Sequence, residues 1–258
     1  MYLSAETITK STWLCAAAIG VCLSMTPPQP VPPEDLRKKY DDPGTVSDNE
    51  SRSASYLTVT RSPTSPRFDY KTAGVALGTF YTPYIYLAWV VFITTLDTLH
   101  ALDLFPHIMP VDHTMAARAF NGQLLIGLTI TTASSAIRFA AFQTLGRFFT
   151  YQLSILPKHK LVTHGLYSYA RHPSYTALVL GYAGTLLRVT APGSVLYDYL
   201  GVDSTRKLTI VLALAVGGVV CVFIRRAEIE DRVLRKEFGK EWDEWARVVR
   251  YKFVPGVL

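Results

Sequence analysis

The chain has 258 residues, of which 49% are hydrophobic, 12% aromatic and only 18% charged, with a net charge of +6. Soluble domains carry about 25% charged residues, and the shortfall here sits in long uncharged runs, so an ordinary soluble domain is excluded. The basic residues are scattered rather than interleaved with aromatics in one patch, which argues against nucleic acid as a partner.

Taken in chain order, residues 11–26 form a short apolar run, readable as a secretory signal or as a first span. Residues 27–72 differ in kind. Pro27, Pro28, Pro30, Pro32 and Pro33 open a stretch that becomes rich in Ser, Thr and Asp up to Asp69. Such a segment has too little apolar surface to offset its ordering entropy, so it reads as a disordered Pro/Ser-rich linker. Residues 74–98, 119–138 and 208–224 approach or exceed the roughly 20 apolar residues a spanning helix needs. Residues 174–190 are apolar too, and Pro173 before them suits a first helical turn, where its missing N–H costs nothing. Cys15, Cys22 and Cys221 all lie within apolar runs without a CxxC pair, and read as small buried hydrophobes. The sequence therefore predicts an all-α membrane protein with about five transmembrane helices, in contact with the lipid bilayer.

Five spans place the connecting segments alternately on two sides. Segments 27–72, 139–173 and 226–258 carry 19 Lys and Arg, against 4 in segments 1–10, 99–118 and 191–207. By the positive-inside rule the first side is cytosolic. Cleavage of a signal would reverse that orientation, so the first run is expected to be a retained helix.

The same count brings two polar cytosolic segments to the ends of one helical hairpin. The first reads TYQLSILPKHKLVTHGLYSYARHPSY from Thr150 to Tyr175 and contains no Asp or Glu. The second opens RRAEIEDRVLRKEFGKEWDEW. Arg226 and Glu230 are four apart and share a helix face. On a soluble helix that pair would be a solvated ion pair worth about 0.3–0.5 kcal/mol. At the end of a spanning helix, ionisable groups are costly and usually functional. Phe238, Trp242, Trp245 and Val249 then recur at helical spacing and predict a C-terminal amphipathic helix lying at the interface and covering what is beneath it. His159, His164 and His172 have spacings that fit no common metal site, and no metal is expected. Tyr169 reads as an interfacial tyrosine, and Arg171 as a topology or phosphate-anchoring charge.

The run HKLVTHGLYSYARHPSY, the preceding TLGRFFTYQ and the later RRAEIEDRVLRKEFGKEWDEW together resemble the isoprenylcysteine carboxyl methyltransferase family. The resemblance covers about residues 138–258; the N-terminal half matches only as hydrophobic spans. It implies transfer of a methyl group from S-adenosylmethionine to the C-terminal carboxylate of a prenylated cysteine, in a protein or a small prenylcysteine substrate. It also implies a multi-pass protein of the endoplasmic reticulum membrane with a cytosolic cofactor site. The domain reading becomes a first helix in 1–26, the linker 27–72, two helices in 73–138, and a catalytic region 139–258 holding two helices and the C-terminal one.

Carried over residue by residue, the resemblance implies that Gln152, His159, Lys160, Leu161, Val162, Tyr167, His172, Pro173, Ser174 and Tyr175 line the cofactor site, joined by Glu230. Arg226 would face the substrate carboxylate as the catalytic and substrate-binding residue. The residue chemistry is compatible. His172, Pro173 and Ser174 stand at a helix N-terminus, whose free N–H groups suit a carboxylate. Tyr167 and Tyr175 offer ring faces to an adenine or a sulfonium. Three alternatives remain open at this stage: a related methyltransferase acting on a lipid amine or another small carboxylate, a sterol-reductase-like NADPH enzyme sharing part of the RHPSY element, and a non-catalytic scaffold.

Overall fold

The structure, a computed structural model, describes residues 5–26, 70–101, 121–150, 156, 158–254 and 256. Its elements are helices α1 (Ala5–Met25), α2 (Tyr70–Ala101), α3 (Gly122–Leu145), α4 (Pro173–Val189), α5 (Val195–Phe238) and α6 (Lys240–Val248). Two 3₁₀ turns, Gly146–Phe148 and Gly165–Ser168, join them. Among the described residues there is no strand. Residues 27–69 of the expected linker lie outside the described residues, and residues 70–72 already belong to α2.

Among the described residues, four helices are long and apolar enough to cross a membrane, over Ile8–Met25, Tyr81–Leu99, Gly122–Phe148 and Val195–Phe238. The fifth expected span, α4, is 17 residues, about 25 Å at 1.5 Å per residue, against a hydrocarbon core of about 30 Å. Proline at its first turn and the Thr190–Gly193 turn after it hold it to that length. It compensates by lying tightly on α3. A Cβ added at Gly184 would stand 2.7 Å from Thr131 Oγ1 and 2.9 Å from the Gly127 carbonyl, so the two backbones meet where neither residue has a side chain.

The apolar core joins Val21 and Met25 of α1, Tyr86 and Val90 of α2, Leu178 of α4 and Phe223 of α5. A second group joins Leu14 and Ala17 of α1 to Leu124 and Leu128 of α3. Cys15 and Cys221 are exposed on the outer surface of the bundle, contrary to the burial expected of them. Apolar runs in a membrane protein have a lipid side, and the sequence does not say which residues take it.

α5 carries the main departure from the sequence reading. Its backbone breaks at Gly201 (φ 73°, ψ 174°), and the stretch beyond runs unbroken to Phe238, roughly 55 Å. That exceeds the membrane core, so its C-terminal turns project past the end of the bundle. Gly239, at φ 53°, ends the helix, donates its N–H to the Arg235 carbonyl and turns the chain back into α6. The amphipathic helix therefore starts after this glycine, not before it.

Candidate functional site

At the end of the bundle where α5 projects, α3, α4, α5 and the loop between α3 and α4 enclose one cavity. It holds about 1000 Å³ of empty space, counting what is open to the surroundings.

His159, Lys160, Leu161, Val162, Tyr167, His172, Ser174, Tyr175, Arg226 and Glu230 all line this cavity. Pro173 is buried at the first turn of α4 and does not line it. Gln152 lies outside the described residues. Ten of the residues singled out in the sequence thus converge from segments more than fifty positions apart. They do so because α4 and α5 are antiparallel, with the start of one beside the end of the other.

The α5 side supplies Arg226 and Glu230. Tyr175 donates its hydroxyl to Glu230 Oε2 at 2.6 Å and is hydrogen-bonded to Arg226 as well. Arg226 and Glu230, which the sequence places on one helix face, therefore meet through a phenol. Arg226 is buried, at 7% exposure, and the Glu230 side chain is 30% exposed toward the cavity.

The loop side supplies flat surfaces. Gly165 takes φ 62°, and a Cβ there would press on the Thr144 side chain at 3.2 Å, so the turn that aims Tyr167 inward requires glycine. Burial pushes the Tyr167 phenol well above its usual value, with Glu230 and Tyr175 adding to the effect. His159 stacks on Phe148 at 4.6 Å and meets Phe238 edge-on at 5.8 Å. Burial lowers its pKa, against opposing pulls from Glu237 and Glu230, so the ring is held toward its neutral form.

Part of the donor set at the start of α4 is already engaged, and Pro173 at its first turn has no N–H to offer. Arg171 N–H donates to the Tyr251 carbonyl at 3.0 Å and His172 N–H to the Lys252 carbonyl at 2.8 Å. Tyr175 and Thr176 close the helical turn onto the His172 carbonyl. The C-terminal segment uses the donors, because backbone N–H groups at a partly buried helix start must be satisfied.

α6 covers what lies beneath it, as its helical spacing predicts. Trp242, Trp245 and Val249 pack with Ala141 and Tyr167 as one buried group, and Trp245 donates its indole N–H to the Tyr167 carbonyl at 3.2 Å. Its apolar face covers the cavity, and Trp245 lines it.

Comparison with known proteins bears on this arrangement. Residues 125–200 match the model of the isoprenylcysteine carboxyl methyltransferase (ICMT) family. The "Probable protein-S-isoprenylcysteine O-methyltransferase" of Oryza sativa subsp. indica is 32% identical over 126 residues, 48% of this chain and 57% of the relative. "Protein-S-isoprenylcysteine O-methyltransferase B" and "A" of Arabidopsis thaliana are each 32% identical over 126 residues, 48% of this chain and 55% of those proteins. The match thus spans a little over half the length of these relatives.

The ICMT match takes in most of α3, the 3₁₀ turn and α4, and stops before the α5 residues Arg226 and Glu230. Their membership of the same cavity rests on the fold. The structure also adds residues that sequence reading missed. Arg138, the last residue of the apolar run 119–138, is 3% exposed and lines the cavity. Its Nη1 donates to the Ser174 carbonyl and hydroxyl at 2.9 and 2.8 Å, and its Nε to the Ser24 carbonyl at 3.1 Å. Arg171, read as a topology charge, also lines the cavity and lies 5.5 Å over the Trp242 ring. Tyr169 is 68% exposed and faces away. Nothing in a single sequence distinguishes Arg138 or Arg171 from the other arginines at helix ends.

Proposed function

We propose that this protein transfers the methyl group of S-adenosylmethionine to the C-terminal carboxylate of a prenylated cysteine. The observation that carries the reading is the convergence of Arg226, Tyr175 and Glu230 with the aromatic 159–172 loop in one cavity at the end of an apolar bundle. A cavity in that position can take a polar cofactor from water and an apolar chain from lipid. The charge count of the connecting segments supports a cytosolic cavity, and the relatives' names support a prenylcysteine substrate. With these goes residence in the endoplasmic reticulum membrane.

The lining suits the cofactor. Glu230 is an acceptor for an ammonium or for ribose hydroxyls, and Tyr167, Trp245 and His159 present ring faces to an adenine or a sulfonium. Lys160 and Arg171 are cations for the methionine carboxylate. When bound, S-adenosylmethionine supplies an electrophilic methyl carbon whose bond to sulfur breaks, with its electron pair, as a carboxylate oxygen bonds to that carbon.

The residues have no proton to move. An α-carboxyl has a pKa of about 3.5 and is already ionised at pH 7. The work left is alignment and exclusion of water. Arg226 presents a planar fork of donors that fixes one carboxylate orientation, an interaction worth about 1.5–3 kcal/mol. Tyr175 ties that guanidinium to Glu230, so the two ligand-binding poles hold a fixed separation. The α6 tryptophans cover the cavity and keep it dry. A lipid-amine acceptor has no use for a buried guanidinium at this point.

The test is methyl transfer on membranes, comparing a farnesylcysteine analogue with phosphatidylethanolamine, for wild type and Arg226→Lys. Transfer to the prenylcysteine and loss of most turnover in the lysine variant are expected, because an ammonium lacks the two-donor fork. Methylation of the amine lipid alone, or full turnover with lysine, would remove the reading.

A further inference from the structure

We propose that Asp231 is a positioning residue that acts on the cofactor pocket through His172, with its second oxygen toward the Arg171 guanidinium. The inference rests on the reading of the cavity as a cofactor site.

Asp231 follows Glu230 on α5, and successive helical residues point about 100° apart. Glu230 turns to the cavity. Asp231 turns past it, is 8% exposed, and does not line the cavity. Its Oδ1 lies 3.0 Å from His172 Nε2, and its Oδ2 lies 3.6 Å from Arg171 Nη2. His172 and Arg171 both line the cavity.

The imidazole is held on every side. It is 5% exposed, its ring is parallel to Tyr175 within 5° at 5.4 Å, and the Phe253 ring lies 6.0 Å away. A carboxylate only accepts, so Asp231 requires the proton on Nε2. That leaves Nδ1 facing Glu230 Oε2 at 3.8 Å. Asp231 thereby sets which ring nitrogen is presented to the cavity wall, a role carboxylates commonly play behind functional histidines. A plain alternative exists: Asp231 could serve only to neutralise the buried Arg171.

The two readings separate in a double-mutant cycle. The full chain in detergent is titrated with S-adenosylhomocysteine as wild type, Asp231→Ala, His172→Ala and the double variant, with thermal unfolding followed without ligand. Asp231→Ala is expected to weaken binding about tenfold, the low end for a hydrogen bond to a charged group. In the His172→Ala background the same change should cost nothing further. Asp231→Asn keeps an acceptor for Nε2–H and should retain most of the affinity; it decides the matter if the alanine variants do not fold. Losses that multiply in the double variant, or an asparagine variant as weak as alanine, overturn the proposal while leaving the cofactor site standing. A wild-type chain that binds no S-adenosylhomocysteine overturns both.

Discussion

Replacing Asp97 with alanine should destabilise the protein by about 4 kcal/mol, although Asp97 sits at the opposite end of the bundle from the cavity. Asp97 and Arg188 are each 1% exposed, with Arg188 Nη1 3.3 Å from Asp97 Oδ2. The other carboxylate oxygen accepts the Val195 N–H at 2.9 Å, at the first turn of α5, so one side chain ties α2, α4 and α5 together. Arg188 Nη1 also donates to Thr94 Oγ1 at 3.1 Å, but its Nε and Nη2 find no acceptor among the described residues. Removing the carboxylate leaves a buried guanidinium without its counter-charge, which costs about 3–5 kcal/mol. The orphaned Val195 N–H adds a share of the roughly 1–3 kcal/mol that an unsatisfied buried donor costs. For a domain of this size that corresponds to a fall in Tm of about 8–16 °C. The assay is thermal unfolding of the detergent-solubilised chain by tryptophan fluorescence. Asp97→Asn keeps an acceptor for Val195 and should lose about half as much. The pair Asp97→Leu with Arg188→Met removes both charges and should recover to within about 2 kcal/mol of wild type, since apolar groups of similar volume replace a buried ion pair at little cost. An Asp97→Ala protein within about 1 kcal/mol of wild type would refute the reasoning.

Further outcomes follow from the same geometry. Gly184→Ala should force α3 and α4 apart and cost about 1–3 kcal/mol, whereas Gly217→Ala, with nothing within 4 Å of the added Cβ, should be neutral or slightly stabilising in the same unfolding assay. His159→Ala should weaken S-adenosylhomocysteine binding without unfolding the chain, checked by calorimetry. The lowered pKa of His159 means that the unfolded chain binds its proton first. Its stability contribution is complete above the unfolded value of about 6.5 and is lost as pH falls through the depressed folded value; His159→Gln should flatten that part of the pH–stability curve. A tag at Asp48 should be protease-accessible in sealed membranes oriented cytosolic side out, and one at Asp198 protected; the reverse would invert the orientation.

The sequence by itself determined the class of protein, because a bilayer demands long uncharged runs, and those need no partner to be recognised. It also determined which segments meet. Charge asymmetry between loops separates two sides, and among the described residues the structure keeps Lys10 with Gly193 at one end of the bundle and Ser24 with Arg138 at the other. The lining residues on the 159–175 loop were legible because they form one contiguous motif. Tertiary structure alone decided what each charge does. Arg138, Arg171, Asp231 and the pair Asp97–Arg188 are isolated charges in the sequence, and a charge acquires a role only from the partner that folding brings within about 4 Å. It also decided that the C-terminal segment takes the Arg171 and His172 N–H groups, and that the residues under α6 are Ala141 and Tyr167. A period of 3.6 fixes which residues share a helix face, but what that face packs against is set by the long continuation of α5 and the turn at Gly239.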